Sequence, residues 1–303
     1  KFKVEKPAGT ILTLAGTQNL ISVQDSLMLI AGTLALGTKS ITLTTSTTTG
    51  TSYIYNSGLT TGSGKIIIAD DDPTVIDGDG NGAFQNIEFN NTDALSNPIS
   101  LAANLSINGE ATFSNDKIVD IKQYNVKFGA SASVSSSGTA RYFQTQGQAG
   151  DGSISKVYSS SSTSFTFPVG APSTRHPAAE YTPATIGITG TPSAYGTITV
   201  IPIGYEHPNT TEKNRSLSYY WRVLSEDFDL NLARVNHEYK YSSSDVIEVG
   251  DVEETGYKPA IFDRSVFTWS KGNLADINTS SNTIGGTGTS LYDVSFIDLE
   301  ITA

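Results

Sequence analysis

The feature that most restricts how this chain can fold is a recurrence of apolar pairs: Leu27 with Leu29, Leu34 with Leu36, and Ile41 with Leu43. Successive pairs stand about seven residues apart, and each encloses one residue that faces the other way. Alternation of this kind buries one face of a short strand, and a strand so short has no core of its own. Such strands must stack on others like them, which is the logic of a β-solenoid; three strands per coil would give coils of roughly 20 residues. The pattern resumes after Pro98 as Ile99 and Leu101, Leu105 and Ile107, Ala111 and Phe113, Val119 and Ile121, then Tyr124, Val126 and Phe128. Turn signals at Asn108–Gly109 and Ser114–Asn115 divide these strands. A sandwich of short strands is the alternative, but the tight offset leaves little room for the long connections of a Greek key.

Between the two blocks lies a region near 44–82 that reads as an insertion, opening with a Thr-rich run and ending in an acidic loop. Tyr53, Ile54 and Tyr55, then Ile66, Ile67 and Ile68, favour strands continuing through it. The loop holds Asp70, Asp71 and Asp72, then Asp77, Asp79, Asn81, Gly82 and Glu88. From Asp77 onward it follows the oxygen-ligand spacing of an EF-hand calcium loop. The context is wrong for one: Phe84, Ile87 and Phe89 look like strand anchors rather than helix, and Glu88 between the last two points away from them. A calcium site would therefore use Asp77, Asp79 and Asn81 without Glu88; the competing reading is a solvated turn.

The chain changes character at Ser164–Gly170, SFTFPVG. After it come longer alternating stretches (Ile198, Val200 and Ile203), the aromatic cluster around Tyr220 and Trp221, and prolines at 177, 183, 192 and 202 that mark edges or breaks. Further strands are expected at Val246, Ile247 and Val249 and at Leu291, Val294 and Phe296. Trp221 reads as a core residue, with Arg222 able to pair with Asp227 or Glu226, whereas Trp269 reads as the exposed aromatic. The expected fold is all-β: a right-handed parallel β-helix (β-solenoid) over 1–165 followed by a β-sandwich over 166–303. Phe165 and Phe167 would cap the solenoid, Pro168 would block a further ladder donor, and Gly170 would turn the chain into the second domain.

Charge and composition narrow the function classes. A net charge of −11 repels phosphate backbones and anionic bilayers over a Debye length of about 8 Å, so nucleic acid is not expected as a partner. The absence of cysteine removes disulfides and thiolate zinc sites. No run approaches the roughly 20 apolar residues of a membrane helix, so direct membrane insertion is not expected, and Lys1 opens what reads as a mature fragment. His176, His207 and His237 are scattered, with neither an HExxH nor a GxSxG motif, and Asp120 with Lys122 reads as a surface ion pair on one strand face. No catalytic residue is assigned.

The order of pieces around the junction resembles the repetitive surface proteins of Bacteroidota secreted by the type IX system, including gliding-motility adhesin-like proteins. The matching residues are Tyr142, Thr145, Gly147, Ser153, Ile154, Lys156, Phe165 to Gly170, Arg175, Pro177, Trp221 and Arg222, while GNGAFQNIEFNN resembles the family's solenoid entry. His176 departs from the aromatic residue common there. No sorting domain follows Ala303, so it is expected either to have been removed or to lie beyond further modules. Asp25, Ser26 and Leu27 resemble the short motif glycosylated in exported proteins of that group, against the plainer reading of a turn.

The resemblance implies a non-enzymatic module at the outer cell surface that displays or binds. Its partners would be a polysaccharide, other cell-surface components or copies of itself, with calcium as the one cofactor to consider. The alternative is a polysaccharide lyase or glycoside hydrolase on the solenoid, with an accessory sandwich. A solenoid face with converging carboxylates or exposed aromatics would favour binding or catalysis, and a smooth Ser and Thr face a stalk.

Overall fold

The protein, described by a computed structural model over residues 1–44, 50–95, 98–210, 216–246, 254, 257–263, 266–271, 277–288 and 296–301, is built almost wholly of β-strands. Ser243–Asp245 forms a 3-10 turn, and among the described residues no helix is long and apolar enough to cross a membrane. Two compact units divide the chain, Lys1–Phe143 and Gln144–Ala303.

The first unit is a β-solenoid with three strands per coil, and all its ladders are parallel. One face stacks Phe2–Glu5, Ser26–Ala31, Ser52–Asn56, Thr74–Asp77, Ile99–Leu101 and Val119–Asp120. A second stacks Ile11–Thr13, Thr33–Gly37, Leu59–Gly62, Ala83–Phe84, Leu105–Ile107 and Val126–Phe128. The third is a 6-stranded sheet of Leu20–Gln24, Ser40–Thr44, Ile66–Ile68, Ile87–Phe89, Glu110–Phe113 and Ser133–Ser135.

Register explains why the apolar pairs recur. Residues aligned in successive coils form inward columns: Ile21, Ile41, Ile66, Ile87, Ala111 and Val134, and beside them Val23, Leu43, Ile68, Phe89 and Phe113. Most of these side chains are fully buried, so each methylene adds about 0.8 kcal/mol of burial against the coils above and below. Phe143 packs at 5.3 Å on Phe113 and 6.1 Å on Phe128, which adds an aromatic cluster at the C-terminal end of this unit.

The region expected as an insertion is an ordinary coil: Ser52–Asn56, Leu59–Gly62 and Ile66–Ile68 take their places on the three faces. Residues 45–49 of the Thr-rich run lie outside the described residues. Coil lengths vary from about 20 to 27 residues, so the repeat is one of geometry rather than of letters.

The second unit is antiparallel. One sheet carries Ile154–Val157, Thr197–Ile203, Tyr220–Glu226, Phe296–Ile301, Tyr257–Asp263 and Thr268–Lys271 in that order. Another carries Ser164–Phe167, Ala184–Thr189, Arg234–Lys240, Thr283–Gly288 and Ile277–Asn278. Trp221 is fully buried between Tyr219 and Tyr239, both at 5.1 Å, and its indole N–H donates to the Thr182 carbonyl at 2.8 Å. Pro202 lies past the part of its strand that pairs with Ile154–Val157, where a missing N–H costs no ladder bond. Of the strands expected near the end, Ile247, Val249, Leu291 and Val294 fall outside the described residues.

The SFTFPVG segment is internal to this second unit, so the boundary expected at 165/166 is displaced to 143/144. Phe165 and Phe167 pair with Ile186 and Ala184 across an antiparallel ladder, and their rings meet edge-on at 5.0 Å. Pro168 separates Ser164–Phe167 from Val169–Ala171, two strands that belong to different sheets. A ring with fixed φ and no N–H suits that corner. Gly170 is no turn: it lies within Val169–Ala171, pairs with Tyr181 and accepts a bond from the Thr145 N–H at 3.0 Å.

Candidate functional site

Outward columns of the solenoid follow from the same register that builds its core. On the third face, Ile67, Glu88 and Thr112 align, with Lys65 and Glu110 close by. Three successive coils thus bring one ammonium and two carboxylates together. Lys65 Nζ stands 3.4 Å from Glu88, 3.7 Å from Glu110 and 3.1 Å from the Thr112 hydroxyl, while Ser114 donates to Glu88 at 2.7 Å. Glu88 points away from the buried Ile87 and Phe89, as the alternation requires, but toward Lys65 rather than into the acidic loop.

This cluster sets one base beside two acids, and sequence reading missed it. The side chains are 28% (Lys65), 18% (Glu88) and 40% (Glu110) exposed, on the open side of a strand ladder. One lysine stands against two carboxylates there. A glycoside-cleaving pair instead flanks its bond with one carboxyl held protonated and the other ionised.

A shallow polar cavity of about 370 Å³, lined by Thr92, Asn115, Asp116, Lys117 and Arg141, is likewise occupied with its own pairing. Arg141 Nε donates to Asp116 at 2.7 Å, and Lys117 Nζ donates to the carbonyls of Asp93 and Leu95, the latter at 3.0 Å. Lys39 does the same for Gly16 and Gln18 at 2.6 and 2.9 Å. Asparagines add further staples between coils: Asn86 donates to the carbonyls of Gly62 and Gly64 and accepts from the Glu110 N–H. Basic and amide groups on this unit thus serve to tie one coil to the next.

The first face carries half-exposed aromatics. Tyr53 and Tyr55 both face outward, with Met28 beside Tyr55 on one neighbouring strand and Val75 and Asp77 beside them on the other. Tyr53 donates its hydroxyl to Asp77, which pushes the phenol up to about 12, helped by partial burial. The remaining Asp77 oxygen accepts the Gly78 N–H at 2.8 Å.

Asp79 accepts the Asn81 N–H at 2.9 Å, a bond that lowers its pKa, and its own N–H donates to Ser57. The residues of the expected calcium loop therefore make a turn between two strands. Its glycines answer to stacking, since a Cβ at Gly78 would stand 2.1 Å, and one at Gly82 2.4 Å, from the Asn56 carbonyl oxygen of the preceding coil. Gly82, the glycine of the EF-hand spacing, thus sits at a point of the coil corner that admits no side chain.

Asp120 and Lys122 do not share a strand face. Lys122 sits at φ 51 just past Val119–Asp120, and its N–H donates to the Asp120 carboxylate at 3.1 Å in a turn. Asp25 also turns at φ 65, Ser26 is half-buried and Leu27 is fully buried, which matches the plainer reading of that motif.

In the second unit, Arg222 donates to the Ala149 carbonyl at 3.1 Å. Trp269 is half-buried against His207 and Phe262 at 4.8 and 5.0 Å, with its indole N–H on the Asn209 carbonyl. The exposed apolar side chains of that hairpin are its neighbours Val266 (61%) and Phe267 (75%) instead. The histidines do not gather: His176 Nδ1 lies 3.4 Å from Glu180, His207 is boxed by aromatic rings, and His237 is buried against Tyr239 at 3.0 Å. The buried Asp245 is held by the hydroxyls of Ser173 and Ser218, and burial raises its pKa. No family model matches the chain, and no curated protein or solved structure matches it either.

Proposed function

We propose that this chain is a non-enzymatic module of the bacterial outer surface, in which a solenoid presents long polar faces for display or for binding polysaccharide. The observation that carries the reading is the pairing of Lys65 with both Glu88 and Glu110 on an open strand face. Lys65, Glu88, Glu110, Asp116, Arg141, Lys39 and Lys117 are spent on one another and on carbonyls of neighbouring coils. The half-exposed Tyr53 and Tyr55, flanked by Asp77, offer apolar ring surface beside hydrogen-bonding groups, which is the chemistry a sugar ring requires.

In this reading the solenoid is right-handed, following the hand of parallel strand crossovers, and the antiparallel sheets of the second unit form a β-sandwich around Trp221. Secretion by the type IX route, as in the surface proteins that the Phe165–Gly170 and Trp221–Arg222 motifs resemble, accords with the absence of cysteine and with a composition rich in uncharged polar residues. The partner classes are a polysaccharide, another surface component or a second copy of the chain.

A glycan array paired with a reducing-sugar assay on acidic polysaccharides tests the proposal. Binding without turnover is the expected outcome, weakened by Tyr55→Ala. Turnover would replace it with the lyase or hydrolase reading, and Glu88→Gln and Glu110→Gln would then be the first variants to assay.

A further inference from the structure

Where the third face of one coil hands over to the first face of the next, the chain runs through Asp70, Asp71 and Asp72. One carboxylate oxygen from each lies within 4.8 Å of the others. Acidic side chains crowd together on many surfaces, and the spacing by itself would say little.

Asp70, however, is fully buried. One of its oxygens accepts the Asp72 N–H at 2.8 Å and the Ser52 side chain also bonds to the group, yet Oδ2 has no partner. Burial raises the pKa of this carboxyl, and the charges of Asp72 and Asp71 raise it further. A buried carboxylate with an unmet oxygen and two like charges beside it is strongly disfavoured unless a proton or a cation joins it.

The backbone around it is held in place. Thr92 donates its N–H to the Asp70 carbonyl at 2.7 Å, and the buried Asn91 donates from Nδ2 to the Asp72 carbonyl at 2.9 Å. Asp71 is exposed and Asp72 half-exposed, so the group opens to solvent on one side. All the donor atoms are oxygens and all carry negative charge, which suits a hard divalent cation that keeps several waters.

We propose that Asp70, Asp71 and Asp72 bind a calcium ion that bridges Asp70 Oδ2 to the two outer carboxylates and pins the corner between two coils. The site is separate from the Asp77, Asp79 and Asn81 turn, and it stands whether or not the module binds polysaccharide.

Calorimetric titration of the whole chain with calcium chloride, after dialysis against chelator, tests it. A saturable single-site heat is expected, in the range of about 10⁻⁴ to 10⁻³ M or tighter, with Tm raised by several degrees at saturation. Asp70→Asn should weaken binding at least tenfold. Since that position is buried, Asp71→Asn at the exposed position should weaken it by a similar factor, with the far-UV spectrum of the parent chain. Asp79→Asn should titrate as the parent chain does. Absence of heat and of a Tm shift at about 10 mM calcium, a decade above that range, would overturn the proposal. So would heat that survives Asp71→Asn within twofold, or heat that disappears in Asp79→Asn.

Discussion

The two units bury aromatic and aliphatic side chains by opposite means. In the solenoid each coil touches the coils before and after it, its partners are about 20 to 27 residues away, and the same kind of contact repeats along columns such as Ile41, Ile66 and Ile87. In the second unit contacts join the chain at widely unequal separations, as Trp221 does with Tyr219, Tyr239 and Thr182, and as Ser173 does with Asp245. A stack of coils spreads stability over nearest-neighbour terms, so damage stays local; a core assembled from non-local pairings is lost as a whole.

The largest expected effect falls on the second unit. Trp221→Ala should cost about 3–5 kcal/mol through the lost packing and cavity, and it leaves the Thr182 carbonyl without its donor. Hydrogen exchange should then rise across the antiparallel sheets while the solenoid ladders keep their protection. Equal loss of protection in both units would break the contrast.

Acid should act on the same unit next. Burial lowers the His237 pKa from 6.5 to about 4, so the folded state favours the neutral ring. The stability this gives is complete above about pH 6.5. As the pH falls from there toward 4, the unfolded chain takes up a proton that the folded chain refuses, and about 3 kcal/mol is lost across that window. Urea titrations between pH 7 and 4 should show this slope, and His237→Phe should flatten it; an unchanged slope would assign it to other groups.

Smaller and confined effects are expected in the solenoid. Gly78→Ala drives a methyl into the Asn56 carbonyl oxygen of the preceding coil and should cost about 1–3 kcal/mol, with exchange raised near residues 52–56 and 74–77 only. Spread of that effect over the whole unit would show that the coils are more strongly coupled than nearest neighbours. Smallest of all, Lys65→Met should change stability by about 0–1 kcal/mol, as partly exposed pairs do, and should leave glycan binding as it was. A large loss of binding would promote the cluster from a coil tie to part of the binding face.

Much of the solenoid was legible because burial of one strand face writes itself into the chain as alternation. Leu27 and Leu29, Ile41 and Leu43, Ile87 and Phe89 all read inward correctly, and Glu88 read outward. The neighbours of Glu88 were not legible. Which side chains align above it depends on the length of each coil, and that length is set by turns whose size varies from coil to coil. In the acidic loop, the close approach of Gly78 and Gly82 to the carbonyl of another coil was not legible for a related reason.

The sequence by itself determined that this protein is all-β, that its first half stacks short strands, and that Trp221 belongs inside. Those are properties of local alternation and of side chains too large and apolar to leave in water. Only the tertiary structure decided that the strand of Phe165 and Phe167 joins the antiparallel unit, that Lys65 meets Glu88 and Glu110, and that Asp70 is buried with an oxygen unmet. Each of these depends on where the chain returns after about 20 or more residues. That distance is set by hydrogen-bond register between strands, which no single stretch of sequence contains.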